Sequence, residues 1–580
     1  MDKVVPVEAG AEAFIELLNA NGVEYIFLNS GTDTVPVQEA IAKFKAQGKR
    51  TPEVVLCMHE SVAMSAAHGY FVISGRPQVV LVHVDAGTQN VGGALHNAQR
   101  GQIGVVFCAG RAPIDLEKDE LGGRWFFMWI QERRDQTSIV RDYAKWDYEL
   151  RSTDTMHRVV QRAFQLAATE PCGPVYLTLP LELLIEKVDG VCIPDVTRHA
   201  AVTSPQADPV LLDKAAEILV NAEKPLIMTG KSGRNHEAVN SLVELAETLG
   251  ARVITAPDRV NIPTTHPLCS GENAAPYLGD ADVILVIDLE VPYAPTQTKP
   301  GPDAKIIHID IDPIKPAIPM WVFPVDILLQ ADSSKTMPEL TRLIRQKLNS
   351  EQKSKSKARS QQIESENKKL REEWHHLAVS QADDKPISPE WLCHCINEVI
   401  DEDAILINEV ATNMPSVGRQ VRRTRPGTSF DSGGSSLGWG LGAALGAKLA
   451  APAKTVVTLV GDGSFVFGCP TAALWAAHAN KAPFLTVIFN NQKYQAVKGA
   501  LRRAYGKESF SEKGKSVGID IDEPPEYSLV AEACHCHGRV IEDPAELKPA
   551  LKKALAQVRS GKSVVLDIKV ESEVKGSFFS

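Results

Sequence analysis

Cysteine is scarce, at ten in 580 residues, and so thin a scatter does not suggest the disulfide framework of a small secreted domain. Long apolar runs are missing too: none approaches the roughly 20 residues needed to span a bilayer. Basic charge is not in excess, because 62 Lys and Arg face 72 Asp and Glu, for a net charge of −10. Nothing in that balance argues for nucleic acid. A secretory or transit peptide is also lacking, since MDKVVPVEAGAEAFIELL reads as an amphipathic helix that carries acidic residues. The terminal GSFFS matches no retention or lipidation signal. These absences leave a cytoplasmic protein with neither a membrane nor a nucleic-acid partner. Cys393-His394-Cys395 and Cys534-His535-Cys536-His537 lack the Cys-x-x-Cys spacing of structural zinc. Both read as core positions of amphipathic helices.

What is present is an ordinary globular composition, 44% apolar and 23% charged, arranged as three α/β blocks. Up to about residue 187, strand candidates Tyr25–Leu28, Val54–Cys57, Val79–Val84, Ile103–Cys108 and Val175–Leu179 alternate with helical segments. That rhythm implies a mostly parallel sheet. A polar, Pro-containing stretch from Asp189 to Asp208 reads as a linker. A second block, 205–348, offers Leu226–Thr229, Val253–Thr255, Val283–Asp288 and Lys305–Ile311 as strands. Its Gly230-Lys231-Ser232-Gly233 lacks the upstream glycine of a P-loop and reads as a tight turn. Residues 349–384 are charged and polar, with helical propensity, and read as a solvated connector. The third block spans 385–580. The fold class is therefore α/β, with three doubly wound, Rossmann-like domains.

The third block carries the most specific pattern. The apolar strand Lys454–Val460 runs into Gly461-Asp462-Gly463-Ser464, a helical stretch follows, and a second strand, Phe484–Phe489, ends on Asn490-Asn491. In a parallel sheet this sets a carboxylate and an amide side by side at the carboxyl ends of two strands, where open α/β sheets bind ligands. Asp462, Asn491 and the backbone carbonyl of Lys493 are oxygen ligands suited to Mg²⁺. The flanking glycines permit close approach, and the amides of Gly463 and Ser464 suit an anion. A diphosphate held through a divalent cation fits this set.

The constellation resembles the cofactor signature of thiamine diphosphate enzymes, which opens with Gly-Asp-Gly and closes with Asn-Asn, here with two extra residues near Gly468 to Pro470. Three α/β blocks with the diphosphate site in the last resemble the acetolactate synthase, pyruvate decarboxylase and benzoylformate decarboxylase branch. The resemblance implies a pyrimidine-binding first domain, a central domain and a diphosphate-binding third domain. It further implies a Glu after a first-domain strand that activates the cofactor, and Glu60, in Met58-His59-Glu60-Ser61, matches. In the family that Glu serves a second subunit's cofactor, which implies a homodimer as the minimal active unit and a homotetramer as the assembly. Gly433-Gly434-Ser435-Ser436-Leu437-Gly438 resembles the segment whose large apolar residue, here Leu437, bends the cofactor, with Gly434 beside it. Glu409, Ala411 and Thr412 match the segment that helps to hold diphosphate and pyrimidine.

His83 and the Gly87-Thr88-Gln89-Asn90 that follows are similar to benzoylformate decarboxylase rather than to the Gly-Pro-Gly loop of acetolactate synthases. A histidine there relays protons near neutral pH. Thr32, in Asn29-Ser30-Gly31-Thr32, stands where a Ser of that enzyme contacts the substrate carboxylate; its bland alternative is a helix N-cap. Phe467, Val497 and Leu501, with Trp129 and Gln131 from the first domain, are candidate pocket walls. The chain departs from the pattern in three places. Glu290 to Pro295 offers no second active-site histidine, a paired His-His is absent, and no Arg-rich flavin segment is evident. FAD is therefore not expected. With one histidine at the reactive carbon, ligation to a second carbonyl competes with aldehyde release. The resemblance thus implies a thiamine diphosphate- and Mg²⁺-dependent lyase and carboligase acting on 2-oxo acids and aldehydes. The alternatives are an acetolactate synthase-like transferase, a 2-hydroxyacyl-CoA lyase and a homologue that binds the cofactor without catalysis. The presence of Glu60 argues against the last.

Overall fold

The computed structural model describes residues 2–116, 124–506 and 516–572; the terminal GSFFS lies outside them. Continuous runs of Val, Ile and Leu become strands buried on both faces, as parallel strands covered by helices must be. The first sheet has six parallel strands: β1 (Tyr25–Leu28), β2 (Glu53–Leu56), β3 (Gln78–Val82), β4 (Val105–Arg111), β5 (Trp146–Glu149) and β6 (Pro174–Pro180). Their spatial order is β2-β1-β3-β4-β6-β5. The central sheet is β7 (Pro225–Thr229), β8 (Arg252–Thr255), β9 (Val283–Ile287), β10 (Lys305–Asp310) and β11 (Ile327–Gln330), in the order β8-β7-β9-β10-β11, again parallel. The third has β12 (Ile405–Glu409), β13 (Ser429–Phe430), β14 (Val456–Gly461), β15 (Leu485–Asn490), β16 (His537–Ile541) and β17 (Val564–Lys569), in the order β13-β12-β14-β15-β17-β16. All of its pairings are parallel.

In each sheet the order reverses near one end, and in the first and third it turns back again at the far edge, at β6-β5 and β17-β16. The reversal falls between β1 and β3, between β7 and β9, and between β12 and β14. Crevices open at the carboxyl ends of such strand pairs. In the central domain the crevice is filled by the protein's own charges. Lys231 pairs with Glu290 at 2.7 Å and with the Arg100 carbonyl at 2.6 Å, while Arg234 pairs with Asp288 at 2.6 Å and Glu170 at 2.8 Å. Gly230-Lys231-Ser232-Gly233 accordingly leads into a single turn, Ser232–Arg234, and not a phosphate cradle.

Three segments differ from their sequence reading. The linker region contributes a strand, Val191–Ile193, paired antiparallel with Lys3–Val5. The connector is one continuous helix, α3 (Ser350–Ser380), opened by a capping box at Asn349 and Gln352. One face of α3 docks on the central domain: Asn367, 1% exposed, accepts from Ser270 at 2.7 Å and donates to the Pro267 carbonyl at 2.7 Å. Arg359 and Arg371 donate to the carbonyls of Leu249 and His266. A helix this rich in charge hides such docking, because a few buried polar bonds replace an apolar stripe. Finally, Cys534 follows the helix Tyr527–Ala533 and Cys536 precedes β16, so this pair lies in a turn and not within a helix. Both thiols are buried there, as are Cys393 and Cys395 on the helix Pro389–Val399. No helix of the described residues is long and apolar enough to cross a membrane.

The first and third domains share one hydrophobic core. It is built on α1 (Glu60–Ser74) against α4 (Gly440–Ala450). A Cβ on Gly69 would lie 2.0 Å from the Ala443 carbonyl, and one on Gly446 would lie 1.8 Å from the Ala66 carbonyl. Backbones in that contact leave room only for glycine.

Candidate active site

α1 begins at Glu60, directly after β2, and His59 caps it, its Nδ1 accepting from the Ser61 N–H at 3.2 Å. The Glu60 side chain is buried, and one carboxylate oxygen accepts from Asn90 Nδ2 at 3.0 Å. Gly87 stands close by: a Cβ there would meet the other oxygen at 3.2 Å. The resemblance puts this Glu at a second subunit's cofactor. Here α1 already packs on α4 of the same chain, and His59 hydrogen-bonds the thiol of Cys469. That bond raises the imidazole and lowers the thiol from their usual ranges.

The Leu437 loop joins the two domains. Asn97, on α2 (Gly92–Arg100), exchanges two hydrogen bonds with the Ser436 backbone, at 2.9 and 3.0 Å. Gly434 packs so tightly on Asn97 that a Cβ would fall 2.3 Å from its Oδ1. Gly438 has φ +91°, a left-handed conformation that favours glycine, and its missing Cβ leaves room for the Phe467 carbonyl. Leu437 itself is only partly buried at the tip. Glu409, read from sequence as a cofactor contact, anchors this loop: its carboxylate accepts from Gly438 at 2.5 Å, Trp439 at 3.2 Å and Gly440 at 2.7 Å. Burial pushes it up to about 7 against the pull of those donors. Ala411, at the end of β12, sits at φ +41° and Thr412 is buried.

Asp462 follows β14 and opens a short helix, α5 (Asp462–Phe467). Its side chain is buried, with Oδ1 accepting from Gly463 at 2.8 Å and Oδ2 from Gln492 at 2.6 Å. The second bond folds the Asn491–Lys493 turn against it, and Asn491 Oδ1 accepts from the Lys493 N–H at 3.0 Å. Burial raises Asp462 to about 6. No cationic side chain pairs with it among the described residues. A buried carboxylate without a counter-charge, in a turn rich in oxygen donors, fits a hard divalent cation. The cofactor fits as well: the amide oxygens of Asn408, Asn413 and Gln495 are buried without a partner among the described residues, so they have acceptor capacity for a ligand's amino groups. Ser464 is buried behind Asp462.

In the first domain, the loops after β1 and β3 meet. His83 Nδ1 bonds Asp33 Oδ1, and Val84 N–H donates to Asp33 Oδ2 at 3.1 Å. Gln131 hydrogen-bonds the same imidazole. Thr32 is exposed beside this pair and is not a cap; Thr34 precedes the next helix and its hydroxyl bonds the Gly31 carbonyl. Trp129 is 54% exposed, with the Arg124 guanidinium 4.5 Å over its ring. Phe467 and Val497 are exposed as well, the latter on α6 (Gln495–Tyr505), where Leu501 lies one turn on. Sequence reasoning missed Asp33, Asn97 and the His59–Cys469 contact. The two extra residues near Gly468 were the one signal for Cys469.

This layout is shared with known proteins. Models of the thiamine pyrophosphate enzyme domains match in order: the N-terminal TPP binding domain over residues 8–139, the central domain over 212–340 and the C-terminal TPP binding domain over 411–568. The chain belongs to the thiamine pyrophosphate enzyme family, as an enzyme of the decarboxylase and acetolactate synthase type. It is 27% identical to a benzoylformate decarboxylase of Pseudomonas aeruginosa, over 94% of this chain and 96% of that one. It is also 27% identical to a probable acetolactate synthase large subunit of Methanococcus aeolicus, over 94% and 90%. In fold it is similar to a thiamine diphosphate-dependent 4-hydroxybenzoylformate decarboxylase of Rhodococcus jostii, with a TM-score of 0.78 at 23% identity over 97% of this chain and 99% of that one. A benzoylformate decarboxylase of Polynucleobacter necessarius gives 0.78 at 21%, over 98% and 100%.

Proposed function

We propose that this chain is a thiamine diphosphate- and Mg²⁺-dependent lyase that decarboxylates a 2-oxo acid and also ligates the product to an aldehyde as a 2-hydroxy ketone. The observation that supports the reading is that the first-domain helices carrying Glu60 and Asn97 pack on α4 and the Leu437 loop of the third domain, whose Asp462 is a buried carboxylate in a turn rich in oxygen donors. When bound, the cofactor supplies an acidic carbon that adds to a carbonyl and takes up the electron pair released with CO₂. Asp462, Asn491 and the Lys493 carbonyl hold the cation, and Gly463 and Ser464 line the diphosphate. Ala411 and Thr412 border the cofactor, which Leu437 supports from beneath. Glu60 exchanges a proton with the aminopyrimidine. His83 moves a proton at the substrate carbon, and Thr32 faces the substrate carboxylate. Phe467, Val497, Leu501, Trp129 and Gln131 wall the substrate side.

The apolar side chains left open on the flanking segments, Phe126, Ile130, Phe467 and Val497, support a homodimer as the minimal unit and a homotetramer as the assembly, because exposed apolar patches mark association surfaces. The acetolactate synthase relatives keep a transferase in view. One experiment tests both: a panel of 2-oxo acids and aldehydes with thiamine diphosphate and Mg²⁺, scored for CO₂, aldehyde and 2-hydroxy ketone. Glu60→Gln is expected to lower turnover by about a hundredfold or more while the cofactor still binds. Unchanged turnover in that variant refutes the role, and a panel yielding only acetolactate-type ligation favours the transferase.

A further inference from the structure

Asp33 is a carboxylate held where water hardly reaches. It is 2% exposed, one residue beyond Thr32 in the loop after β1. Its own loop and the neighbouring strand β4 close over it. A Cβ on Gly31 would fall 2.4 Å from its Oδ1 and 2.3 Å from His83 Nδ1, and one on Gly110, in β4, would fall 1.7 Å from its Oδ2. The glycines at those positions are what admit the carboxylate. Its two oxygens take His83 Nδ1 and the Val84 N–H. Val84 has φ +24°, an outlier for a β-branched residue of the kind that persists where surrounding bonds dictate it. The Asp33 bond is one of those, and it aims the preceding His83.

A buried carboxylate needs a counter-charge. Among the described residues the only ion-pair partner of Asp33 is His83. The other charged groups near this ring are accounted for. Asp85 pairs with Arg133 at 2.8 Å and accepts from Gln89 at 3.3 Å, and Glu60 accepts from Asn90. A carboxylate only accepts, so Nδ1 carries a hydrogen, and the opposite nitrogen is left for Gln131 and the cleft.

We propose that Asp33 is a positioning residue that holds His83 as an imidazolium, its Nδ1–H on the carboxylate and its Nε2–H presented to the substrate side of the cleft. This rests on reading the cleft as the substrate side of a thiamine diphosphate site. The hydrogen bond to Asp33, and then that carboxylate's charge, hold His83 above the ordinary histidine range, while burial pulls the other way. The ring therefore stays charged as pH rises past 6.5, the ordinary histidine value. The charged ring gives its Nε2 proton to the substrate-derived carbon, keeps Nδ1–H, becomes neutral, and regains the proton from solvent. A single histidine held in this way supplies what a second histidine would otherwise bring, so intact Asp33 favours aldehyde release and its loss favours ligation.

The test is a titration of the histidine rings in the holoenzyme, labelled at ¹³Cε1 and read by NMR, with His83→Gln to assign the resonance. The wild-type midpoint is expected above 6.5, and Asp33→Asn is expected to lower it by about one unit or more. Gln131→Leu, which leaves the buried carboxylate in place, is expected to lower it by less. A wild-type midpoint at or below 6.5 overturns the proposal, as does an unmoved midpoint in Asp33→Asn. In parallel, Asp33→Asn is expected to lower kcat with KM changed less than about twofold, and to raise the share of 2-hydroxy ketone. Combined with His83→Gln it is expected to cost nothing further, because residues acting through one another are not additive. Should the wild type turn over no 2-oxo acid while the ring still titrates high, the reading of the site fails and the Asp33–His83 pairing stands. An unshifted ring in an active enzyme sinks the pairing alone.

Discussion

Asp462 and Glu409 are both buried carboxylates, yet their surroundings set them different tasks. Glu409 is satisfied by three backbone donors from the Leu437 loop. Asp462 has two, and no cationic side chain pairs with it among the described residues. Burial raises Asp462 to about 6, above its ordinary 3.8. A carboxyl raised on folding contributes stability that is full below its unfolded value and is lost as pH rises through the folded one. The apoprotein is therefore expected to lose stability between about pH 4 and pH 7 through this group, and a divalent cation, which needs the deprotonated form, restores it at the upper end. Mg²⁺ affinity by calorimetry is expected to fall about tenfold per unit below pH 6. Asp462→Asn abolishes that slope along with tight binding; an affinity flat from about pH 5 to 8 contradicts the assignment. The positions of Asp462, Asn491, Glu60 and Leu437 in the fold were legible because each sits at a fixed step from a strand end or a glycine turn, where backbone geometry leaves a pattern. Asp33 was not, since an Asp between two threonines in a polar loop looks like any turn. Its burial depends on Gly31 and Gly110 closing over it, which is a tertiary fact.

At the level of elements, the apolar runs of β1, β7, β14 and β15 announced themselves by composition, and their observed limits lie within a residue or two of the sequence reading. The short edge strands β5 and β11 did not, because Trp146–Glu149 is half-polar and Ile327–Gln330 is four residues long with alternate residues exposed, and both gain their identity from the neighbour they pair with. Nor was the α1–α4 contact legible. Ala63, Ala66, Ala67 and Gly69 on one helix and Gly442, Ala443, Gly446 and Ala447 on the other read as generic helix formers and breakers. Only when the two helices cross does their smallness become a backbone-to-backbone fit. This contact sets Glu60, at the start of α1, against the loop that leads into α4. Gly446→Ala is therefore expected to force the helices apart, costing about 2 kcal/mol of stability and weakening cofactor retention, by thermal shift with and without thiamine diphosphate. Gly279→Ala, where an added Cβ meets nothing within 4 Å, is the matched control. An equal melting temperature in the two variants would remove the helix contact from the argument.

For the whole molecule, each of the three sheets offers a crevice at the reversal between its first strands, and the protein uses them unequally. The central one is closed by Lys231, Arg234 and their carboxylate partners. The first and third domains pack on each other through α1 and α4. The single chain leaves Phe126 82%, Ile130 81% and Phe467 58% exposed. Water reaching such a site weakens every electrostatic contact within it, so a dimer that covers these side chains would strengthen the contacts beside them. A homodimer that buries these side chains makes activity per chain depend on concentration, because folding and catalysis are then linked to association by mass action. Sedimentation velocity and turnover, measured over the same dilution series with cofactor and Mg²⁺ present, are expected to fall together as the dimer dissociates. Phe126→Ser with Ile130→Ser is expected to move both curves to higher concentration. Turnover per chain that holds constant through dissociation would assign a complete site to the single chain and leave the exposed apolar segments without a role in catalysis.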